Sequence, residues 1–478
     1  MKTLYYSQFG AAGDGVTDDF DAIIRTHEQA NQSGSKVCAD SNAAYYIGGA
    51  DKTAIIQTET DWNTARFIID DRNVQNIRSN VFCISPNLPP IPLHEISQLK
   101  KGQQKLDVCL PNRSLILATD ENTKRFIREG LNQDNGSPQT DVFVTDQNGH
   151  VCSTTPIVWD FSGITSITAY PIDPTPLKIS GGHFVTIANN AEPSYTYYSR
   201  GIKITRSNVV IQGLNHTIEG EGEQGAPYGG FFNLSHCADI TVRGCKLSGH
   251  KTYSTIGSAG LPVSMGSYDI FFSHGVNAKF EDCSQHNDIL DGKIWGIFGS
   301  DFTKNITFER VAFSRFDAHR GIRNVTIKDS QIGYMGLKII GWGLCHVENT
   351  HVKGGSFIEM RHDYGSTWDG DVVIRNCGFT PLYKRANIID GYYTGQHDFG
   401  YRCFMPRNVT IDGLVIHDEN IPEGYTGPKL FAAYESYNPG TAKYIYAPAE
   451  SVQICNLTVK SGKGFVVCEN EFLVPARV

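Results

Sequence analysis

The amino-acid sequence predicts an all-β solenoid, a parallel β-helix, with a helix capping its N-terminal end and a small β module inserted after the first coils. Three observations predict it. A short strand motif recurs nine times, the intervals between copies fall as low as 19 and 20 residues, and the composition favours turns and aromatic packing over long helices.

The composition sets the limits. Among 478 residues, 48 are Gly, 22 Tyr and 25 Phe but only 5 are Met, and the chain is long enough to bury a large core. A net charge of −8 argues against a general nucleic-acid binder, so any anionic partner must be bound in a local basic groove. The first residues, "MKTLYYSQFGAAGDG", lack the apolar core of an export signal, and no later run approaches the length of a membrane span. The sequence therefore predicts a soluble chain with no membrane partner. Its 12 cysteines are widely spaced without a C-x-x-C pair, which speaks against a zinc or redox motif.

The first segment, residues 1–84, holds "FGAAGDGVTDDFDAIIRTHEQAN". Gly10, Gly13 and Gly15 form a loop, Thr17 to Asp19 are candidate caps, and a helix is expected to run to about Asn31. A nucleotide-binding loop is the rival reading. No Lys-Ser/Thr follows the glycines, however, and Asp14, Asp18, Asp19 and Asp21 would repel phosphate. Residues 85–165 break the pattern: a Pro-rich stretch precedes "SLILATD", "DVFVTDQNGHV" and "PIVWDF", read as three strands of an inserted β module.

Residues 166–478 carry most of the repeat. Its copies start at Asn208, Asp239, Asn277, Asn305, Asn324, Leu344, Asp371, Asn408 and Ser451, each a strand with apolar residues two apart. Intervals of 19 (Asn305 to Asn324) and 20 (Asn324 to Leu344) suit one turn of a parallel β-helix, and longer ones, such as 38 between Asp239 and Asn277, mark loops inserted into a coil. The recurring Asn is read as a turn residue bonding its own backbone rather than as a glycosylation acceptor. Cys245, Cys283 and Cys377 fall at equivalent positions and are read as small inward fillers.

The opening stretch Phe9-Gly10-Ala11, Gly13 to Asp19 and Ala22-Ile23 resembles the opening motif of the pectate-lyase-like superfamily of right-handed β-helices, which includes bacterial polysaccharidases, polygalacturonase-type hydrolases and phage tailspikes. The resemblance implies right-handed coils and a purely structural capping helix. "SRFDAHRGIRNVTIKDSQIG" and "DYGSTWDGDVVIRNC" resemble bacterial β-helical polysaccharide-degrading proteins, glycosaminoglycan lyases among the relatives.

Superposed strands place Asp317 and His319 on one face, with Lys338 one coil beyond Asp317 and Arg361 to Tyr364 one coil further. A bland alternative makes Asp317 and Lys338 a surface ion-pair ladder, with Trp342 and Trp368 merely covering the coil. Taken together, Arg320, Arg361 and His362 concentrate positive charge, and Trp295, Trp342, Trp368 and Tyr364 offer flat faces to sugar rings. The expected partner is an acidic polysaccharide, glycosaminoglycan- or pectin-like.

For β-elimination at a uronic acid, Arg361 or Arg320 would neutralise the carboxylate, and His319, His362, Tyr364 or Lys338 would serve as base and acid. Hydrolysis would draw a carboxyl pair from Asp301, Asp317, Glu359 and Asp363. The polygalacturonase-type hydrolases commonly carry an adjacent Asp pair, which residues 295–371 lack, so elimination is the expected chemistry. Asp317, Arg320, Glu359, Asp363 and the tryptophans are assigned to substrate binding. A non-catalytic, tailspike-like carbohydrate binder is the third reading.

No metal or cofactor is expected. Some β-helical lyases neutralise the uronate with Ca2+, but Arg and His can replace it here, and no 12-residue calcium loop is present. Monomer and homotrimer both stay open. Such a substrate places the protein outside the cell or at its envelope, although the chain as written shows no export signal. The sequence further predicts that His319→Ala and Arg361→Ala each abolish turnover while sparing the fold.

Overall fold

The computed structural model describes residues 2–194, 196–422 and 424–477. Among these, thirty strands join in one hydrogen-bonded ladder in which coil follows coil in parallel. The nine motif copies stack in register. The column Val209, Ile240, Ala278, Ile306, Val325, Cys345, Val372, Val409, Val452 runs unbroken from coil to coil. Each member is at most 3% exposed, because alternate residues of a strand face opposite sides and these face the coil interior. Fully burying such a side chain contributes roughly 1.5–3 kcal/mol, repeated at every coil.

The recurring Asn works differently from the sequence reading. Asn208, Asp239, Asn277, Asn305 and Asn324 take φ between 57° and 63°, the left-handed turn that Asn and Asp tolerate best. Their side chains bond the neighbouring coil instead of their own backbone. Asn277 Nδ2 donates to Asp239 Oδ1, Asn305 to Asn277 and Asn324 to Asn305, each at 2.8 Å. The 4.8 Å spacing of stacked strands puts the like residue of the next coil within reach. Cys245, Cys283 and Cys377 are buried, as expected of apolar fillers.

The helix Phe20–Ser33 lays Phe20, Ile23, His27 and Ala30 on the first coils and stops at Gly34, whose φ of 65° ends the helical path. The acidic residues of the preceding loop accept its own amides. Asp19 receives Ala12 N and Gly13 N at 2.6 and 3.0 Å, and Asp14 receives Val16 N and Thr17 N at 2.9 and 2.8 Å. These donors are therefore committed within the protein.

A separate antiparallel sheet contains Ile91–Pro92, Ser114–Arg125, Ser137–Thr145 and Ser166–Pro171. Two details correct the sequence reading. "PIVWDF" is irregular backbone, with Val158 N donating to Asp141 Oδ2 at 2.7 Å rather than to a ladder. The sheet's further strand is Ser166–Pro171, where Ile167 and Ala169 join a core with Ile116, Ala118 and Phe143; the coils resume at Leu177–Ser180.

This sheet packs on the coils through Leu115, Val142 and Val144 against Ala238 and Val276. A buried ion pair, Lys304 Nζ to Asp141 Oδ1 at 2.6 Å, pins the two together. Among the described residues no helix is long and apolar enough to cross a membrane.

Candidate active site

Four successive coils present Phe298–Glu309, Ala312–Lys328, Gln331–Ile339 and Ser356–Met360 side by side. Gly299 sits over Asp317, Asp317 over Lys338, and Lys338 over Glu359, so these positions share the outward face. A register shift after Ser300 places Arg320 against Asp301 and leaves His319 as the extra residue, which turns it toward Asp301. The result is a cleft of about 690 Å3 between the coil face and the inserted sheet.

Asp317 is the hub and is 0% exposed. It accepts from Tyr268 Oη and Arg315 Nη2 at 2.5 Å each and from Arg361 Nη1 at 2.7 Å. Burial alone would raise its carboxyl, but Arg315, Arg361 and His319 overcome that and hold it far below the usual carboxylate range. Burial pushes the Tyr268 phenol well up, so it is a donor in this network. Gly299 permits the arrangement, since a Cβ there would meet the Tyr268 ring at 2.8 Å.

Arg361 continues the chain of charges. Its Nε and Nη2 donate to Asp363 at 3.1 and 2.8 Å, and Arg128 Nη2, from the inserted sheet's segment, reaches Asp363 Oδ2 at 2.7 Å. Three guanidinium groups thus share two carboxylates. Burial raises the Asp363 carboxyl less than Arg361 and Arg128 lower it, and it is held down to about 2.

On the opposite side, Asp301 accepts from His319 Nδ1 at 3.1 Å and from Arg320 Nη2 at 2.6 Å. Arg320 Nη1 donates to Ser137 Oγ of the inserted sheet at 2.8 Å. Burial opposes ionisation of Asp301, but Arg320 and His319 prevail and keep it charged. With Nδ1–H donated to Asp301, His319 Nε2 is the basic nitrogen. Lys338 Nζ donates to both oxygens of Glu359 at 2.7 and 2.6 Å; burial of that carboxylate is outweighed by Lys338, which lowers its pKa. Asp317 and Lys338 are stacked as expected but do not pair with each other.

The cleft therefore brings together Asp301, Asp317, His319, Arg320, Lys338, Glu359, Arg361, His362, Asp363 and Trp295. Three expected participants lie elsewhere. Trp368 is 0% exposed in the coil interior, its Nε1 donating to Gly343 O at 3.0 Å, so it offers no face to a sugar. Tyr364, 1% exposed, belongs to an aromatic wall with Phe126 and Ile340, where burial pushes its phenol up and removes it as an acid or base. Trp342 lines a different cavity, beyond that wall. Sequence alternation puts inward residues at even spacing, but it does not reveal which outward faces a distant segment will cover.

Two residues escaped the sequence reading. Arg315 stands two before Asp317 on the same strand face, which was a usable signal, and its guanidinium lies 4.6 Å from the Trp295 ring. Arg128 carried no signal, because it comes from outside the repeat.

No family model matches the chain, and no curated protein matches it in sequence. Solved structures do. The tailspike gp61 of Pseudomonas phage phi297 superposes with a TM-score of 0.59 at 12% identity, covering 100% of this chain and 84% of its own. The tailspike gp49 of Pseudomonas phage LKA1 gives 0.52 at 13% identity, over 96% and 83%. The Gp54 tailspike of Acinetobacter baumannii bacteriophage AP22, solved in complex with an A. baumannii capsular saccharide, gives 0.50 at 10% identity, over 96% and 70%. The chain is thus a parallel β-helix protein, similar in fold to these tailspikes.

Proposed function

We propose that the protein cleaves an acidic polysaccharide by β-elimination at a uronic acid. The observation that carries this reading is the sharing of Asp317 and Asp363 by Arg128, Arg315 and Arg361, which leaves one positive charge of the cluster unbalanced beside His319. A substrate carboxylate supplies the missing anion. The capsular saccharide held by the AP22 tailspike gives the fold a precedent for a saccharide partner.

In this mechanism the uronate carboxylate lies against Arg128 and Arg361, which stabilise the charge that develops as C5 loses its proton. His319 Nε2 takes that proton while Asp301 holds the ring. The released electron pair forms the C4–C5 double bond, the C4–O bond breaks, and the leaving oxygen takes a proton from the Lys338 ammonium. Guanidinium groups do the neutralising, and the reading assigns no residues to calcium. Among the described residues, no group of three or more His, Cys, Asp or Glu is arranged to hold a metal ion. A substrate of this kind places the protein outside the cell or at its envelope.

A second reading, glycoside hydrolysis, is favoured by one observation. Asp301, Asp317, Glu359 and Asp363 are all held ionised, so none of them is a proton donor. Asp390, however, stacks directly on Glu359 in the next coil, and burial pushes its carboxyl up despite Arg385 and His362. It is buried and does not line the cleft, so elimination is preferred.

Incubation with a panel of uronic-acid polysaccharides distinguishes the readings. Ultraviolet absorbance from an unsaturated product supports elimination. Reducing ends without that absorbance support hydrolysis, and retention of a saccharide with neither signal supports a non-catalytic binder.

A further inference from the structure

Beyond the wall formed by Phe126 and Tyr364 lies a second cavity of about 450 Å3, between the inserted sheet's segment and the coils. Trp159 and Trp342 meet edge to face in it, with ring centres 5.3 Å apart and planes at 72°. Tyr401 and Phe404 extend the aromatic lining. The Arg125 guanidinium lies over the Trp159 ring at 4.7 Å, which leaves Trp342 as the indole whose face a ligand would meet.

Its charges differ from those of the cleft. Lys101, Arg323 and Arg402 line the cavity, and among the described residues none of the three has a carboxylate within ion-pair distance. The lining carboxylate, Asp369, is bound to Arg407 at 2.6 Å. Trp342 Nε1 is buried and has no acceptor among the described residues. In the cleft each arginine of the cluster already touches an aspartate, whereas here three cations and an indole N–H stand without an anion.

We propose that this cavity is a second saccharide site that takes one acidic sugar unit. The C–H face of the ring stacks on Trp342 and its carboxylate meets Arg402 and Lys101. The volume falls within the range of small-ligand pockets, roughly 300–1,000 Å3. The inference rests on the reading of an acidic polysaccharide as the partner, but not on the chemistry in the cleft. Two sites on one chain would make a long polysaccharide bind more tightly than a short one, since the second contact becomes intramolecular.

The test uses the full chain carrying Trp295→Phe, which silences the indole of the cleft, titrated with glucuronate and galacturonate and followed by tryptophan fluorescence. Glucose and acetate are the controls. Either uronate should change the emission where glucose and acetate do not, and adding Lys101→Ala with Arg402→Ala, both exposed in the folded chain, should weaken that response at least tenfold. An unchanged response in the double variant, no response to either uronate, or an equal response to acetate would overturn the proposal. Cleavage is scored separately on the unaltered chain. Response without cleavage keeps the second site and removes the elimination reading; cleavage without response does the reverse.

Discussion

Arg128 reaches from the inserted segment to within 2.7 Å of Asp363 on the coil, joining two parts of the chain 235 residues apart at the cleft. Asp363 keeps Arg361 as a partner when Arg128 is removed. Arg128→Ala should therefore leave thermal stability nearly unchanged while lowering kcat/KM for an acidic polysaccharide by about 10- to 100-fold, the scale of one charge-assisted contact. Steady-state kinetics beside a melting curve check both halves.

The structure separates two substitutions that look alike in the sequence. His319→Ala leaves Asp301 held by Arg320 through Nε and Nη2 at 3.2 and 2.6 Å, so the fold should hold while turnover falls by about 10²- to 10⁴-fold. Arg361→Ala strips one partner from the fully buried Asp317, which keeps Arg315 and Tyr268, so the cost should be that of one charge-assisted hydrogen bond, about 1.5–3 kcal/mol. The fold should therefore survive both substitutions, as the sequence reading expects, with the larger loss of stability in Arg361→Ala. Denaturant unfolding of the two variants should show a loss in the second and almost none in the first.

Acid should loosen the molecule in two stages. Tyr6 Oη accepts Trp62 Nε1 at 3.1 Å and so donates to His27 Nε2 at 2.8 Å, and burial holds this histidine down to about 3. Its contribution to stability is complete above the unfolded value near 6.5 and is lost as pH falls toward 3, at about 1.4 kcal/mol per unit. Asp363, held down to about 2, contributes fully above the unfolded carboxylate value near 3.9 and loses that contribution as pH falls through 2. His274, held down to about 4 by burial, adds to the loss over the same window, whereas Asp71, pushed up to about 7 by burial, opposes it, so the check is differential: His27→Gln should lessen the acid-side fall of melting temperature between about 6.5 and 3 relative to the unaltered chain and leave the limb near 2 unchanged.

The side-chain ladder gives a stability test remote from the cleft. Asn305 adopts φ 57°, donates to Asn277 and accepts from Asn324. Its Nδ2 also donates to Thr154 O at 3.0 Å, so Asn305→Ala should cost about 2–4 kcal/mol, combining left-handed strain with three lost hydrogen bonds. Asn305→Gly should recover the strain component only, and a chemical-denaturation series would resolve the difference.

The coils were legible because their determinants are local. A strand's alternation and a left-handed turn at Asn or Asp recur in the sequence as they recur in space, and the nine copies of the motif stack as nine consecutive rungs of the ladder. Asp317 over Lys338 followed from that stacking, whereas the placing of Glu359 against Lys338 came only from the structure. The roles of Trp342, Tyr364 and Trp368 did not, since whether an aromatic ring faces solvent, a wall or the interior depends on what packs over it.

By itself, then, the sequence determined the repeating backbone and the column of outward charges between residues 301 and 363, because both follow from periodicity along one strand. Only the tertiary structure decided that the inserted sheet closes over that column, that Arg128 unbalances its charge, and that a second aromatic cavity lies behind the wall. Those relations join segments more than a hundred residues apart, and nothing local in either segment encodes the other's position.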